Sequence, residues 1–113
     1  MTDDAYVFRV LTEQTGLPGT KLAWPYGKAP TLPWFVYMRD RGGETFAEND
    51  NYHTMPRYKA ELYIRENDPD LVEAFENAVR EIGPYVHRES WIDNENCVMH
   101  SFTFTLTKKE KGA

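Results

Sequence analysis

The sequence predicts a single α+β domain, in which two helices pack on an antiparallel or mixed sheet of about four strands. Two segments repeat apolar residues at helical spacing, and four others are strand-length runs rich in β-branched and aromatic residues. They follow one another in the order α-β-β-α-β-β, with long loops at 17–33 and 41–56. The chain of 113 residues has the size of one domain, which we assign to residues 1–107, and a charged tail at 108–113 is expected to be disordered.

The first helix is predicted over residues 4–15. Apolar side chains recur there at helical spacing, and Asp3 and Asp4 suit the positive end of the helix dipole. Residues 17–33 then contain four of the seven prolines, so they form a long irregular segment with one short strand expected at about 22–24. Such a segment is longer than a plain connector.

Two strands are predicted on either side of the second long loop. The run WFVYM at 34–38 is continuously apolar, which indicates a strand buried on both faces or nearly so. In RYKAELYIR at 57–65, apolar and polar residues alternate with a period of two. This alternation predicts a strand with one face in the core and one face in water.

The second helix has the clearest local signal in the sequence. In NDPDLVEAFENAVREIGP, Asp68 is the expected N-cap, Pro69 the first helical residue and Gly83 the end. Its apolar residues form one stripe, which should lie on the sheet. Two further β-type runs follow at 85–92 and 97–107, and DNEN between them favours a hairpin turn.

Composition excludes several classes of protein. The net charge of -5 argues against a broad basic face for nucleic-acid phosphates. Cys97 is the only cysteine, so no intrachain disulfide forms. The N-terminus has acids where a secretory signal has Lys or Arg, and no apolar run approaches the roughly 18 residues of a membrane span. We expect a soluble protein made in the cytoplasm, without membrane contact.

The stretch FAENDNYH at 46–53 is the densest polar and aromatic group. Glu48, Asp50 and His53 fit no known metal-ligand spacing, and the chain has no GxSxG, HExxH or glycine-rich phosphate loop. We therefore expect no catalytic residue, no metal and no cofactor, and a protein that is not an enzyme. His100, in a predicted strand, should be covered at a core edge or satisfied by a neighbouring hydroxyl.

Three segments, LPWFVYMRD, FAENDNYH and YKAELYIRENDPDLVEAFENAVREIGPYVHRESWI, carry a resemblance that spans about 17–106. Their order resembles the small tail-terminator or tail-completion (head-tail joining) proteins of long-tailed bacteriophages and prophages. Departures from the family pattern are Glu48 and Asn49 in the loop and a run at 65–67 that is less rich in lysine. The matching positions are Pro33, Phe46, Ala47, Asn49, Tyr52, Tyr58, Glu61, Leu62, Tyr63, Asp68, Pro69, Leu71 and Glu89.

The resemblance implies an assembly protein whose subunits form a ring, typically a hexamer, that caps the tail tube and joins the tail to the head. It implies a tail tube protein and a head-completion protein as partners, and a location in the virion after assembly in the host bacterial cytoplasm. DNA would pass through the ring without sequence-specific binding, and negative charge suits this because it repels phosphates. Two alternatives stay open: a head-completion or adaptor protein of the head-tail connector, and a small α+β ligand-binding domain or enzyme.

On this interpretation the two long loops are contact surfaces. Phe46 and Tyr52 would anchor a subunit or partner interface, while Asn49, Asp50 and Asn51 would shape the loop by hydrogen-bonding their own backbone. Alternatively, the two aromatic side chains tuck under the loop onto the sheet. The candidate interface comprises Trp24, Tyr26, Phe46, Asn49, Asn51 and Tyr52.

Overall fold

The computed structural model describes residues 2–40, 56–93 and 96–107. These residues have the predicted α+β class, with two helices and a mixed sheet of five strands in the order β1-β2-β3-β5-β4. The pair β1–β2 is parallel, and the other three pairs are antiparallel. The elements are α1 (Asp3–Thr15), β1 (Gly19–Lys21), β2 (Trp34–Arg39), β3 (Arg57–Ile64), α2 (Pro69–Ile82), β4 (Tyr85–Ile92) and β5 (Cys97–Thr105).

The short strand in the proline-rich segment lies earlier than the sequence predicts. We expected it at about 22–24, whereas β1 occupies Gly19–Lys21 and adds a fifth strand to the sheet. Leu22 has a φ of 69°, in the left-handed region, so the extended strand ends before it. A Cβ at Gly19 would lie 2.1 Å from the Phe35 ring, so only glycine allows this close approach to β2.

Both helices begin at side-chain caps. The Thr2 hydroxyl accepts a hydrogen bond from the Ala5 N–H at 3.1 Å, and the Asp68 carboxylate accepts one from the Leu71 N–H at 3.2 Å. Gly16, with a φ of 72°, ends α1 in the left-handed conformation that glycine favours. The buried helix residues are Val7, Val10, Leu11, Phe75, Ala78, Val79 and Ile82.

The helices and one face of the sheet form a single hydrophobic core. The core residues of the sheet are Phe35, Tyr37, Tyr58, Ala60, Leu62, Ile64, Phe102 and Phe104. They alternate with residues of the opposite face, which we call the open face because neither helix contributes to its cover. Three rows of paired residues cross the open face: Trp34, Tyr63, Met99 and Ser90; Val36, Glu61, Ser101 and Arg88; Met38, Lys59, Thr103 and Val86.

The burial of the strands agrees with their sequence patterns. β3 alternates strictly between half-buried and buried residues, as its period of two predicts. In β2, Phe35, Val36 and Tyr37 are buried while Trp34 and Met38 are half-buried, so only the strand centre is covered on both faces. Neither helix of the described part of the chain is long and apolar enough to cross a membrane.

Candidate interaction surface

The structure places two of the six predicted interface residues. Trp24 and Tyr26 both lie in the segment between β1 and β2, and Trp24 lies on the side of the sheet that carries the open face. The contact loop at 46–53 falls outside the described residues, so its role stays a prediction. The candidates outside the described residues are Phe46, Asn49, Asn51 and Tyr52.

Tyr26 lies at the tip of a β-turn. The Lys28 N–H donates to the Pro25 carbonyl at 2.8 Å, and Gly27 has a φ of 73°. A positive φ at the third residue of the turn is the mark of a type II turn, and glycine adopts it without strain. The side chain of Tyr26 is 103% exposed, so the turn presents a large aromatic ring to solvent.

Trp24 packs on the open face instead of projecting from it. Its ring meets the Trp34 ring edge-on, with 5.9 Å between the centroids, and the Trp34 ring lies 4.7 Å from that of Tyr63. The Trp24 indole Nε1 is buried and has no hydrogen-bond partner among the described residues. We use the name aromatic ledge for the packed rings of Trp24, Trp34 and Tyr63 together with two exposed residues of the segment between β1 and β2, Leu22 (65% exposed) and Tyr26.

A cleft of about 330 Å³ lies beside the aromatic ledge. Glu61 is the one charged residue in its lining, which otherwise comprises Leu22, Ala23, Trp24, Ala29, Trp34, Val36 and Tyr63. The Glu61 carboxylate already accepts a hydrogen bond from the Tyr63 hydroxyl at 3.0 Å and lies 3.3 Å from the Lys59 ammonium. Polar groups therefore do not converge on a ligand here, which favours a protein-contact surface over a small-molecule pocket.

A pair of histidines lies on the opposite face, near α2. His87 Nε2 and His100 Nδ1 are 2.8 Å apart, and the His87 ring stacks on Phe102 at 4.3 Å. Burial lowers the pKa of His100, although the charges of Glu89 and Glu76 favour its protonated form. Among residues 2–40, 56–93 and 96–107, no group of three or more His, Cys, Asp or Glu side chains is arranged to hold a metal ion.

Sequence reasoning did not select two exposed apolar residues of β4. Val86 is 55% exposed on the open face, and Trp91 is 54% exposed on the face that carries the helices. The signal was present in YVHRESWI, where apolar residues occupy both odd and even positions around a charged centre. A strand with one covered face and one polar face would carry apolar residues at alternate positions only, so this pattern departs from a simple alternation.

No protein-family model and no curated protein matches the chain. The chain is similar in fold to a solved chain from the virion of a native gene transfer agent (GTA) particle, with a TM-score of 0.55 at 11% sequence identity. The match covers 92% of this chain and 93% of the virion chain. The two chains therefore share the α+β fold along nearly their whole length.

Proposed function

We propose that this chain is a structural protein of a phage-like virion. Its similarity in fold to a gene transfer agent virion chain, over nearly the full length of both, carries the proposal. The sequence resemblance to tail-terminator proteins points the same way. Both observations agree with an acidic chain that lacks the sequence motifs of enzymes.

Within that class, the role we propose is that of a tail terminator. Subunits would form a ring, most simply a hexamer, that caps the tail tube and offers a surface to the head-completion protein. The aromatic ledge supports a contact role, because Tyr26 and Leu22 expose large side chains to solvent in the segment between β1 and β2. The net charge of -5 suits a ring through which DNA passes without binding.

The proposal is tested by light scattering over a concentration series, with electron microscopy of any large species. The same experiment is repeated after mixing the protein with tail tubes purified from the phage-like particle to which it belongs. A closed ring in solution, or density at the end of the tubes, is the expected result. Absence of both a ring and tube binding would overturn the tail-terminator role.

The main competing function is a head-completion or adaptor protein of the same particle. Size, acidity and fold do not separate it from a terminator, but the binding partner does. Purified heads and purified tail tubes should therefore be offered separately. Binding to the tube end supports a terminator, whereas binding to the portal end of the head alone supports a connector protein.

A further inference from the structure

β4 lies at the edge of the sheet. Within the described part of the chain it pairs only with β5, and five of its eight residues are exposed. α2 packs chiefly on β5 and contacts β4 at Tyr85, whose hydroxyl donates to Glu76 at 2.7 Å and accepts from Arg80 at 2.8 Å, while α1 packs on α2 and β1. Among the described residues no further strand lies beyond β4, and its residues 86 and 88–91 are exposed.

The register identifies which backbone groups point outward. The Thr105 N–H donates to the Pro84 carbonyl at 3.0 Å, so position 84 hydrogen-bonds to β5. Because an antiparallel strand alternates the direction of its backbone groups, the even-numbered positions of β4 also bond to β5. The outward N–H and C=O groups therefore belong to Tyr85, His87, Glu89 and Trp91.

β4 lacks most features by which proteins block an open edge. No proline interrupts it, and its register with β5 runs unbroken through eight pairs, without a bulge. Its charged residues are one of each sign, Arg88 and Glu89, rather than a repulsive lysine run. Such an edge is a template for a further β-strand.

We propose that a second copy of this chain occupies the edge, so that two β4 strands pair antiparallel about a two-fold axis that passes between Arg88 and the partner's Arg88. All four outward residues of each strand then pair, with about eight new backbone hydrogen bonds. His87 lies opposite the partner's Glu89, and Tyr85 lies opposite the partner's Trp91, each twice by symmetry. Histidine with glutamate and tyrosine with tryptophan are both favourable cross-strand pairs.

Neighbouring registers are less favourable. Moving the axis to Glu89 places two carboxylates opposite each other and leaves Tyr85 opposite Asp93, which lies beyond the end of β4, so fewer backbone pairs form. Moving it to His87 leaves Trp91 without a strand residue opposite. In the proposed register the like-charged pair is the two Arg88 side chains, which are exposed on the open face, where water and salt screen their repulsion.

This two-fold contact is independent of the proposed function. A ring is built from head-to-tail contacts, whereas the β4 contact uses the same surface on both subunits and closes at two. It would join the sheets of two free subunits into one of ten strands. A single pair of strands is a small interface, so we expect the dimer to form in a concentration-dependent manner.

Cysteine cross-linking tests the register directly. Position 88 forms the central pair without backbone hydrogen bonds, where the two Cα atoms lie about 4.5 Å apart, a distance compatible with a disulfide. The Arg88→Cys variant should oxidise to a covalent dimer many times faster than Glu89→Cys, in which each cysteine faces His87. Cys97 is 1% exposed and stays in place, with the wild-type chain as the blank.

A proline variant tests, without any cysteine, whether the dimer needs the outward backbone N–H groups of β4. Glu89→Pro removes an outward N–H and leaves the β4–β5 ladder complete, whereas Glu89→Ala keeps that N–H. Light scattering should give a dimer mass for wild type and Glu89→Ala at high concentration, and a monomer mass for Glu89→Pro. Circular dichroism confirms that each variant is folded.

Three results would each overturn the inference: a wild-type monomer at every concentration, equal cross-linking at positions 88 and 89, or an unchanged dimer in a folded Glu89→Pro variant. None of these bears on binding to tail tubes. Conversely, a cross-linked Arg88→Cys dimer that never forms a ring and never binds tubes would support the β4 contact and overturn the terminator role.

Discussion

His100 is a buried side chain, 4% exposed, with a titratable imidazole ring. The sequence predicts that it is covered at a core edge or satisfied by a hydroxyl, and the structure shows it covered, with its Nδ1 bonded to His87. Its Nε2 is buried and has no hydrogen-bond partner among the described residues. A proton on this ring is therefore poorly solvated, because burial is the main cause of its lowered pKa.

Stability should consequently depend on pH through His100. Its pKa in the folded chain lies below the ordinary value of 6.5, so the unfolded chain takes up the proton first as the pH falls. The buried neutral ring therefore contributes its full stabilisation above about pH 6.5. This stabilisation decreases as the pH falls below 6.5, and it stops decreasing once the pH has passed the lowered pKa of the folded chain. We expect the Tm to drop between pH 7.5 and pH 5, and to drop less in His100→Gln. Equal pH dependence in the two proteins would contradict this.

Tyr58 joins the sheet to the first turn of α1. Its hydroxyl donates to the Asp4 carboxylate at 2.5 Å, and Lys21 binds the other oxygen of that carboxylate. Hydrogen bonds from Lys21 and Tyr58 hold the pKa of Asp4 below its usual range. Asp4 was selected from the sequence for the helix dipole, and its link to β3 could not be predicted because the two residues are 54 positions apart.

Tyr58→Phe should isolate this hydrogen bond. The ring stays stacked on Phe104, with 5.9 Å between centroids, so only the hydroxyl is lost. Because the acceptor is charged, we expect the free energy of unfolding to fall by about 1.5–3 kcal/mol. Tyr63→Phe is the control, since its hydroxyl bonds to Glu61 on the half-buried open face and should matter less. Urea denaturation measures both, and equal losses would refute the assignment.

At the scale of elements, local signals predicted α2 closely. An aspartate cap, a proline in the first turn and a glycine at the end are all short-range chemistry, and the structure places the helix at Pro69–Ile82. β1 was misplaced because its position depends on contact with β2, which the local sequence does not encode. The glycine that permits this contact, Gly19, reads in the sequence only as part of a turn.

Gly83 is required for a different reason from the glycine that ends α1. Its φ of 170° is open to any residue, but an added Cβ would lie 1.8 Å from the Thr105 carbonyl oxygen. Since that atom is backbone, Gly83→Ala must displace the end of β5 from α2, and we expect a loss of about 1–3 kcal/mol. Gly16→Ala meets no atom within 4 Å and should lose only the roughly 1 kcal/mol of a left-handed conformation. Thermal unfolding ranks the two variants, and the reverse order would contradict this account.

At the scale of the whole molecule, the two helices cover one face of the sheet and leave the other to a mixture of polar and apolar residues and the aromatic ledge. The periodicity of β3 predicted this two-sidedness, and the proline content of 17–33 predicted an irregular segment. Nothing in a single sequence showed that this segment would fold back onto Trp34. The contacts of Trp24 with Trp34 and Tyr63 could therefore not be derived from the sequence, and the role of Trp24 in an interface stays a prediction.

The role of the aromatic ledge can be separated from folding by changing Tyr26. Because its side chain is 103% exposed, Tyr26→Ala should alter the free energy of unfolding by less than about 0.5 kcal/mol. If the ledge is a contact surface, the same change should weaken ring formation or tube binding, and Tyr26→Phe should retain most of it, since the ring supplies the buried area. Wild-type assembly by a folded Tyr26→Ala chain would exclude the turn at 25–28 from the interface. The contacts would then have to come from other residues, such as Leu22, Trp24 or the predicted contact loop at 46–53.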